Sequence, residues 1–188
     1  MGRLKQLLPW DGGTLIDWQV AQMIAAGVDD VVVVLGHEAE TVRAGVKHPA
    51  ARIAVNSAYR EGRASSLRCG AEAVSEPVTA VVILSVDQPR PAWLTRSLIE
   101  QQAESGASIV QPRLGSHRSH PVIVAGALLG ELRAVREEDL GLRAVLQRHA
   151  AETKVVAIER PELDVDLNTP ASYAEAYAAC QSGGWAER

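Results

Sequence analysis

The chain has 188 residues, enough for one domain of ordinary size that buries most of its apolar surface, and at 47% apolar and 22% charged residues its composition is that of a globular protein. A net charge of −4 argues against a general nucleic-acid binder, and no apolar run approaches the roughly 20 residues that span a bilayer. The charged start has the features of no signal peptide, and Cys69 and Cys180 have no partner at ligand spacing, so two reduced thiols and a cytoplasmic location are expected.

The chain opens on Met1-Gly-Arg-Leu-Lys-Gln-Leu-Leu-Pro-Trp-Asp-Gly-Gly, a basic run leading into a glycine turn, with no strand ahead of the first helix. That helix is predicted over Thr14–Ala26, with Thr14 as N-cap, Asp17 three residues on, and Gly27 just past its end. Asp30–Leu35 carries four valines and a leucine in succession, the pattern of a strand covered on both faces. A short helix over Glu38–Val46 and a strand over Arg52–Asn56 follow, then an irregular stretch and a helix over Ala64–Val74. Thr79–Leu84 is a further apolar strand, and the helix after it runs from Pro91 to Ser105. Ala107–Pro112 and Ser119–Ala125 form two strands about a turn at Leu114–His117. Helices over Leu128–Val135 and Leu140–His149, a strand over Thr153–Glu159 and a helix over Pro170–Cys180 complete the pattern. Strands alternating with helices predict an α/β fold with a mostly parallel sheet, and the pair after residue 107 predicts a small antiparallel edge or insertion. Residues 1–180 are expected to form one domain and 181–188 a disordered polar tail.

The strongest chemical candidate is Asp87, which follows an apolar strand at the end of the sheet where open α/β folds place ligands. A carboxylate there suits Mg²⁺, which keeps several waters and bridges one or two carboxylates to phosphate oxygens; the competing reading is an N-cap for the next helix. Asp164 and Asp166 alternate ahead of the last helix and would face the same way if extended, with Asp166 the better placed to complete a metal site. Capping of that helix falls to Asn168 or Thr169 before Pro170. Lys5, with Arg3, is positioned to meet a triphosphate as a point charge. Ser65 and Ser66, just after Gly62, offer hydroxyls at a helix start, either as a nucleotide cradle or, for Ser65, as a plain N-cap, and Asn56 at a strand end can read a base edge. His117, Arg118 and His120 cluster in the later hairpin; lacking a third ligand they do not predict zinc, and His120 is read as facing substrate, with Arg113 and Arg118 near an anionic acceptor.

Taken together, Gly2-Arg-Leu-Lys-Gln-Leu-Leu-Pro, Asn56-Ser-Ala-Tyr-Arg-Glu-Gly-Arg-Ala-Ser-Ser-Leu, Val86-Asp-Gln-Pro, Ser119-His-Pro-Val-Ile-Val, Asp139-Leu-Gly-Leu-Arg-Ala-Val-Leu and Asp164-Val-Asp-Leu-Asn-Thr-Pro resemble, in order and spacing, the MobA-like nucleotidyltransferases of molybdenum-cofactor synthesis. The Lys-Gln-Leu-Leu and Ser-Ser-Leu forms tilt the resemblance towards the cytidylyltransferase branch. It implies a Rossmann-like three-layer fold and Mg²⁺-dependent transfer of CMP from CTP to the phosphate of molybdenum-molybdopterin, with release of pyrophosphate. It further implies that Asp87 and Asp166 hold Mg²⁺ and that Lys5 and Asp87 are the catalytic groups. Gly2, Arg3, Lys5, Asn56, Ser65 and Ser66 would line the nucleotide, and His120 the acceptor. A molybdoenzyme or its chaperone would be a protein partner, with no nucleic acid and no membrane involved. The alternatives are a relative acting on another phosphorylated acceptor, with GTP or a sugar phosphate as substrate, and a non-catalytic maturation module for a molybdoenzyme.

The family's glycine-rich phosphate loop ends at the residues matching Met1-Gly2, so its first strand and most of that loop are expected upstream of Met1. Without that strand, two neighbouring strands of the sheet are expected to lack a partner, at a cost on the order of 1–3 kcal/mol for each buried ladder bond lost.

Overall fold

The computed structural model describes residues 4–183 and residue 185. A 3₁₀ turn (Lys5–Leu7) leads into a two-residue hairpin, β1 (Pro9–Trp10) and β2 (Gly13–Thr14), and then α1 (Leu15–Ala25), β3 (Val31–Leu35), α2 (Ala39–Gly45) and β4 (Ala51–Val55). A 3₁₀ turn (Tyr59–Glu61), α3 (Arg63–Ala73), β5 (Ala80–Ile83), α4 (Ala92–Ser105), β6 (Ile109–Leu114), β7 (His117–Arg118) and β8 (Val122–Ala125) follow. The chain continues through α5 (Leu129–Arg133), α6 (Leu142–Arg148), β9 (Thr153–Ala157), a 3₁₀ turn (Pro161–Asp164) and α7 (Pro170–Gln181). Among the described residues no helix is long and apolar enough to cross a membrane.

The hairpin corrects the expectation that no strand precedes the first helix. Asp11 (φ 44°) and Gly12 (φ 79°) both take the left-handed conformation, which matches the twist of a two-residue hairpin loop. The flanking strands pair Pro9 with Thr14 and Trp10 with Gly13, too short a run to show an alternating pattern in sequence. Thr14 then caps α1 as expected, its hydroxyl accepting from the Asp17 amide at 3.3 Å.

The main sheet runs β5-β8-β6-β9. Both β5–β8 and β8–β6 are antiparallel and β6–β9 is parallel, so β5, β6 and β9 point one way with β8 reversed between them. The two-residue β7 pairs the far end of β6. Side chains alternate across this sheet as a period of two requires. Ile109, Val122 and Val124 pack with Ala64, Ala71, Leu129, Leu132 and Val145 of α3, α5 and α6, whereas Val110 and Ile123 pack with Leu94 and Leu98 of α4. Helices therefore cover both faces, and the fold has three layers.

Strand β3 pairs in parallel with β4, but this pair is not hydrogen-bonded to the main sheet. Among the described residues β3 pairs only with β4 and β5 only with β8. Helices bridge the break. The α1 residues Ile16 and Val20 pack on Val33 and Leu35 together with Val86 beyond β5, and on α3 Gly70 leaves room for Val34.

Of the tail expected to fray, Trp185 is described. It is buried, its ring 5.4 Å from that of Trp10 and 5.6 Å from that of Trp18. The Tyr173 hydroxyl donates to the Pro9 carbonyl at 2.7 Å, so α7 is pinned to the β1–β2 hairpin.

Candidate active site

Asp87 lies in the loop that leaves β5, and Asp166 in the segment that enters α7. The Leu167 backbone amide donates to the Asp87 carbonyl at 2.8 Å, and Gln88 Nε2 donates to Asp166 Oδ2 at 3.4 Å, so the two carboxylate-bearing segments are joined. Asp87 is not a helix cap, since the N-cap of α4 is Pro91. Nor is capping of α7 the work of Asn168. Thr169 does that, in a reciprocal capping box with Ser172, while Asn168 Oδ1 accepts from Lys5 Nζ at 2.8 Å. The same ammonium stands 3.3 Å from Asp87 Oδ2. Three of the sequence candidates, Lys5, Asp87 and Asp166, are therefore gathered in one place from opposite ends of the chain. Asp164 departs from its expected alternation with Asp166: it ends a 3₁₀ turn and is exposed, whereas Asp166 is half-buried.

Two buried residues that sequence reading missed hold these loops. Gln19, in the apolar stripe of α1 between Leu15 and Met23, donates to the carbonyls of Ser85 and Val86, both at 3.2 Å. A glutamine at that spacing was the available signal. Arg90, 1% exposed, donates to the carbonyls of Pro89, Glu162, Leu163, Val165 and His120 and to the Ser119 hydroxyl at 2.9–3.2 Å. One guanidinium thus binds the Asp87 loop, the segment before Asp166 and the His120 backbone together. Burial pulls Arg90 down to about 10, against the opposing pull of Asp166, Asp164 and Asp87, so it stays charged at neutral pH. Burial also pushes the His120 imidazole down to about 4. Arg90 and Arg63 add to that shift, and Asp87 and Asp166 oppose it. His120 is therefore neutral at pH 7 and within electrostatic reach of both aspartates. A cavity of about 200 Å³ lies on this side, bordered by Gln88, Arg90, Asp164, Asp166 and Ser119, with the exposed His117 and Arg118 of β7 at its rim.

Asn56, Ser65 and Ser66 form a second cluster. Asn56, directly after β4, donates from Nδ2 to both serine hydroxyls at 2.9 and 3.1 Å and accepts the Ala58 amide at 2.9 Å. Ser65 is buried, and its hydroxyl also reaches the carbonyls of Ala58 (3.0 Å) and Gly62 (2.8 Å). It is not the N-cap of α3. That position is Gly62 (φ 113°), and a Cβ there would meet the Glu137 carboxyl at 2.4 Å. Glu137 comes that close because its Oε2 accepts the Ala64 amide at 2.7 Å, capping α3 from a distant loop. Ser66 is half-buried and carries the more available hydroxyl of the pair. A cavity of about 510 Å³ borders Ser65, Arg68, Arg133 and the 134–138 loop rather than the aspartates. Gly2 and Arg3 lie outside the described residues.

The donor set fits a small hard cation. Asp166 Oδ1 is buried without a hydrogen-bond partner, and Asp87 already faces a positive charge. Among the described residues no three His, Cys, Asp or Glu side chains form a closed metal cage. Magnesium does not need one, because it takes one or two carboxylates and completes its shell with water and phosphate oxygens.

Residues 1–153 match the family described as MobA-like NTP transferase domain. The chain is 29% identical over 150 residues to nicotine blue oxidoreductase of Paenarthrobacter nicotinovorans, covering 77% of this chain and 73% of that protein. Among solved structures it is similar to a manganese complex of Rv0371C from Mycobacterium tuberculosis H37Rv, with a TM-score of 0.76, 25% identity and 94% and 93% of the two chains covered. It also shares its fold with a nucleotidyl transferase from Methanothermobacter thermautotrophicus, with a TM-score of 0.78, 22% identity and 95% and 86% covered.

Proposed function

From the chain's membership of the MobA-like NTP transferase family, which makes it a nucleotidyltransferase, we propose that it transfers CMP from CTP to the phosphate of a molybdopterin-type acceptor and releases pyrophosphate. The convergence of Lys5, Asp87 and Asp166 carries this reading, because phosphoryl chemistry of this kind depends on positioning and charge neutralisation. In it an acceptor phosphate oxygen attacks the α-phosphorus of CTP in line as the bond to the β-phosphate oxygen breaks. The acceptor is already ionised, so no general base is required. Asp87 and Asp166 would hold Mg²⁺, which would offset charge on the triphosphate. Lys5 supplies a further positive charge to the phosphate oxygens, and Gly2 and Arg3 would also serve the nucleotide. Asn56 orients Ser65 and Ser66 towards the nucleoside. The neutral His120 lies on the acceptor side, where it can hydrogen-bond a phosphate without adding charge. The choice of CTP over GTP rests on the forms of residues 5–8 and 65–67, and a molybdoenzyme that receives the product would be the protein partner, in the cytoplasm.

A second reading is favoured by the named activity of the 29% identical relative: redox chemistry on the same fold. Thermal unfolding separates the two. A ligand at 100 times its dissociation constant adds about 2.7 kcal/mol. Selective stabilisation by Mg²⁺ with CTP, lost in Asp87→Ala, supports cytidylyl transfer; selective stabilisation by GTP moves the reaction to guanylyl transfer. A response to NADH or NADPH and to no triphosphate overturns transferase chemistry in favour of the redox reading.

A further inference from the structure

We infer that the Lys5 ammonium is a built-in competitor for the divalent cation, closing the Asp87 carboxylate until a metal displaces it. The inference rests on the reading of Asp87 as a metal ligand, and concerns what occupies that ligand before the metal arrives. Lys5 Nζ is 3.3 Å from Asp87 Oδ2 and 2.8 Å from Asn168 Oδ1, so it is held by two acceptors rather than swinging free. These acceptors come from the loop after β5 and from the residue before the α7 cap, and Asp166 stands two residues from Asn168. The ammonium thus sits where those two segments meet, on a carboxylate oxygen that a cation would need.

Two features make the arrangement a competition and not a fixed ion pair. First, the side chains of Lys5 and Asp87 are 26% and 21% exposed, so water reaches both and either can exchange its partner. Second, Lys5 belongs to a three-residue 3₁₀ turn with no buried residue, so its backbone does not commit the side chain to this contact. A +1 and a +2 charge cannot share one carboxylate oxygen without strong repulsion. Entry of the metal therefore expels the ammonium, and the expelled charge becomes available to the phosphate oxygens that accompany the metal. The lysine would then serve the site twice, neutralising Asp87 before the metal binds and the triphosphate afterwards.

The test uses Mn²⁺ alone, titrated into the full chain and followed by the electron paramagnetic resonance signal of the free ion. Lys5→Met is expected to bind Mn²⁺ about tenfold more tightly than the unsubstituted protein, and Asp87→Asn to lose binding. A second measurement needs no substitution. Mn²⁺ is expected to raise the rate at which Lys5 is acetylated by limiting acetic anhydride severalfold relative to Lys47 and Lys154, read by peptide mass spectrometry. If the unsubstituted protein binds Mn²⁺ but Lys5→Met binds it no better, or if Lys5 labelling does not respond, competition is overturned while the carboxylate site stands. If neither the unsubstituted protein nor Lys5→Met binds Mn²⁺, the carboxylate site itself is overturned and the competition with it.

Discussion

The amide of Leu167 donates to the carbonyl of Asp87 at 2.8 Å, tying the loop after β5 to the entry of α7 through the backbone, a link that substitution of either aspartate side chain leaves in place. Asp87→Asn and Asp166→Asn are therefore expected to separate activity from stability. Each should lower pyrophosphate release at least about 100-fold, the scale of a removed electrostatic contact to developing charge. The double variant should fall little further, since groups that hold one ion act as a unit. Urea unfolding should change by less than about 1 kcal/mol, and Asp166→Asn should not destabilise, because Oδ1 is a buried acceptor without a donor. Equal losses of activity and stability would refute the separation.

Arg90 should show the opposite profile. Its guanidinium serves five carbonyls and the Ser119 hydroxyl from a buried position, so Arg90→Met strands those acceptors together. A loss of about 3–4 kcal/mol in urea unfolding is expected. Arg90→Lys retains the charge but not the planar fork, and should recover less than half of the loss. A change below about 1 kcal/mol in Arg90→Met would mean that the loops around Asp87 and Asp166 hold without it.

Much of this architecture is written in local signals. The unbroken valines of β3, the Thr14 cap, the Gly27 stop and the Thr169-Pro170 start all act within a few residues of themselves, and each element stands within a few residues of its expected bounds. The candidate aspartates were legible because they follow an apolar strand and precede a capped helix. What stayed illegible depends on contacts across the chain. Arg90 sits between two prolines and looks like any surface arginine until the 162–165 segment folds over it. Glu137 gives no sign in sequence that it will cap α3. The β1–β2 hairpin escapes because each strand has two residues, and Trp185 because its partners Trp10 and Trp18 lie at the other end of the chain.

The two serines of α3, alike in sequence, are expected to respond differently. Ser65 is buried with its hydroxyl bonded to the Asn56 amide and to two carbonyls, so Ser65→Ala leaves Asn56 Nδ2 with one acceptor fewer and should cost about 1–2 kcal/mol of stability. Ser66 is half-buried, and its hydroxyl accepts from Asn56 Nδ2. Ser66→Ala should change stability by less than about 0.5 kcal/mol and instead raise the KM for the nucleoside triphosphate. If the serines exchange these responses, Ser65 is the residue that meets the nucleotide.

The His120 imidazole makes stability fall with acid in a defined window. Burial holds it near 4 in the folded protein, below the ordinary value near 6.5 that it regains on unfolding. Between those values the unfolded chain binds more protons than the folded one, so folding free energy is complete above about pH 6.5 and declines as the pH drops towards 4. The loss due to His120 should reach about 2–3 kcal/mol. His149 works with the opposite sign, its hydrogen bond to Glu131 raising its affinity for protons, so total stability alone does not report on His120. The difference between the unsubstituted protein and His120→Gln cancels that contribution. Urea midpoints at pH 7.5, 5.5 and 4.5 should converge as the pH falls, and a difference independent of pH would show that His120 takes up its proton as readily in the folded protein as in the unfolded chain.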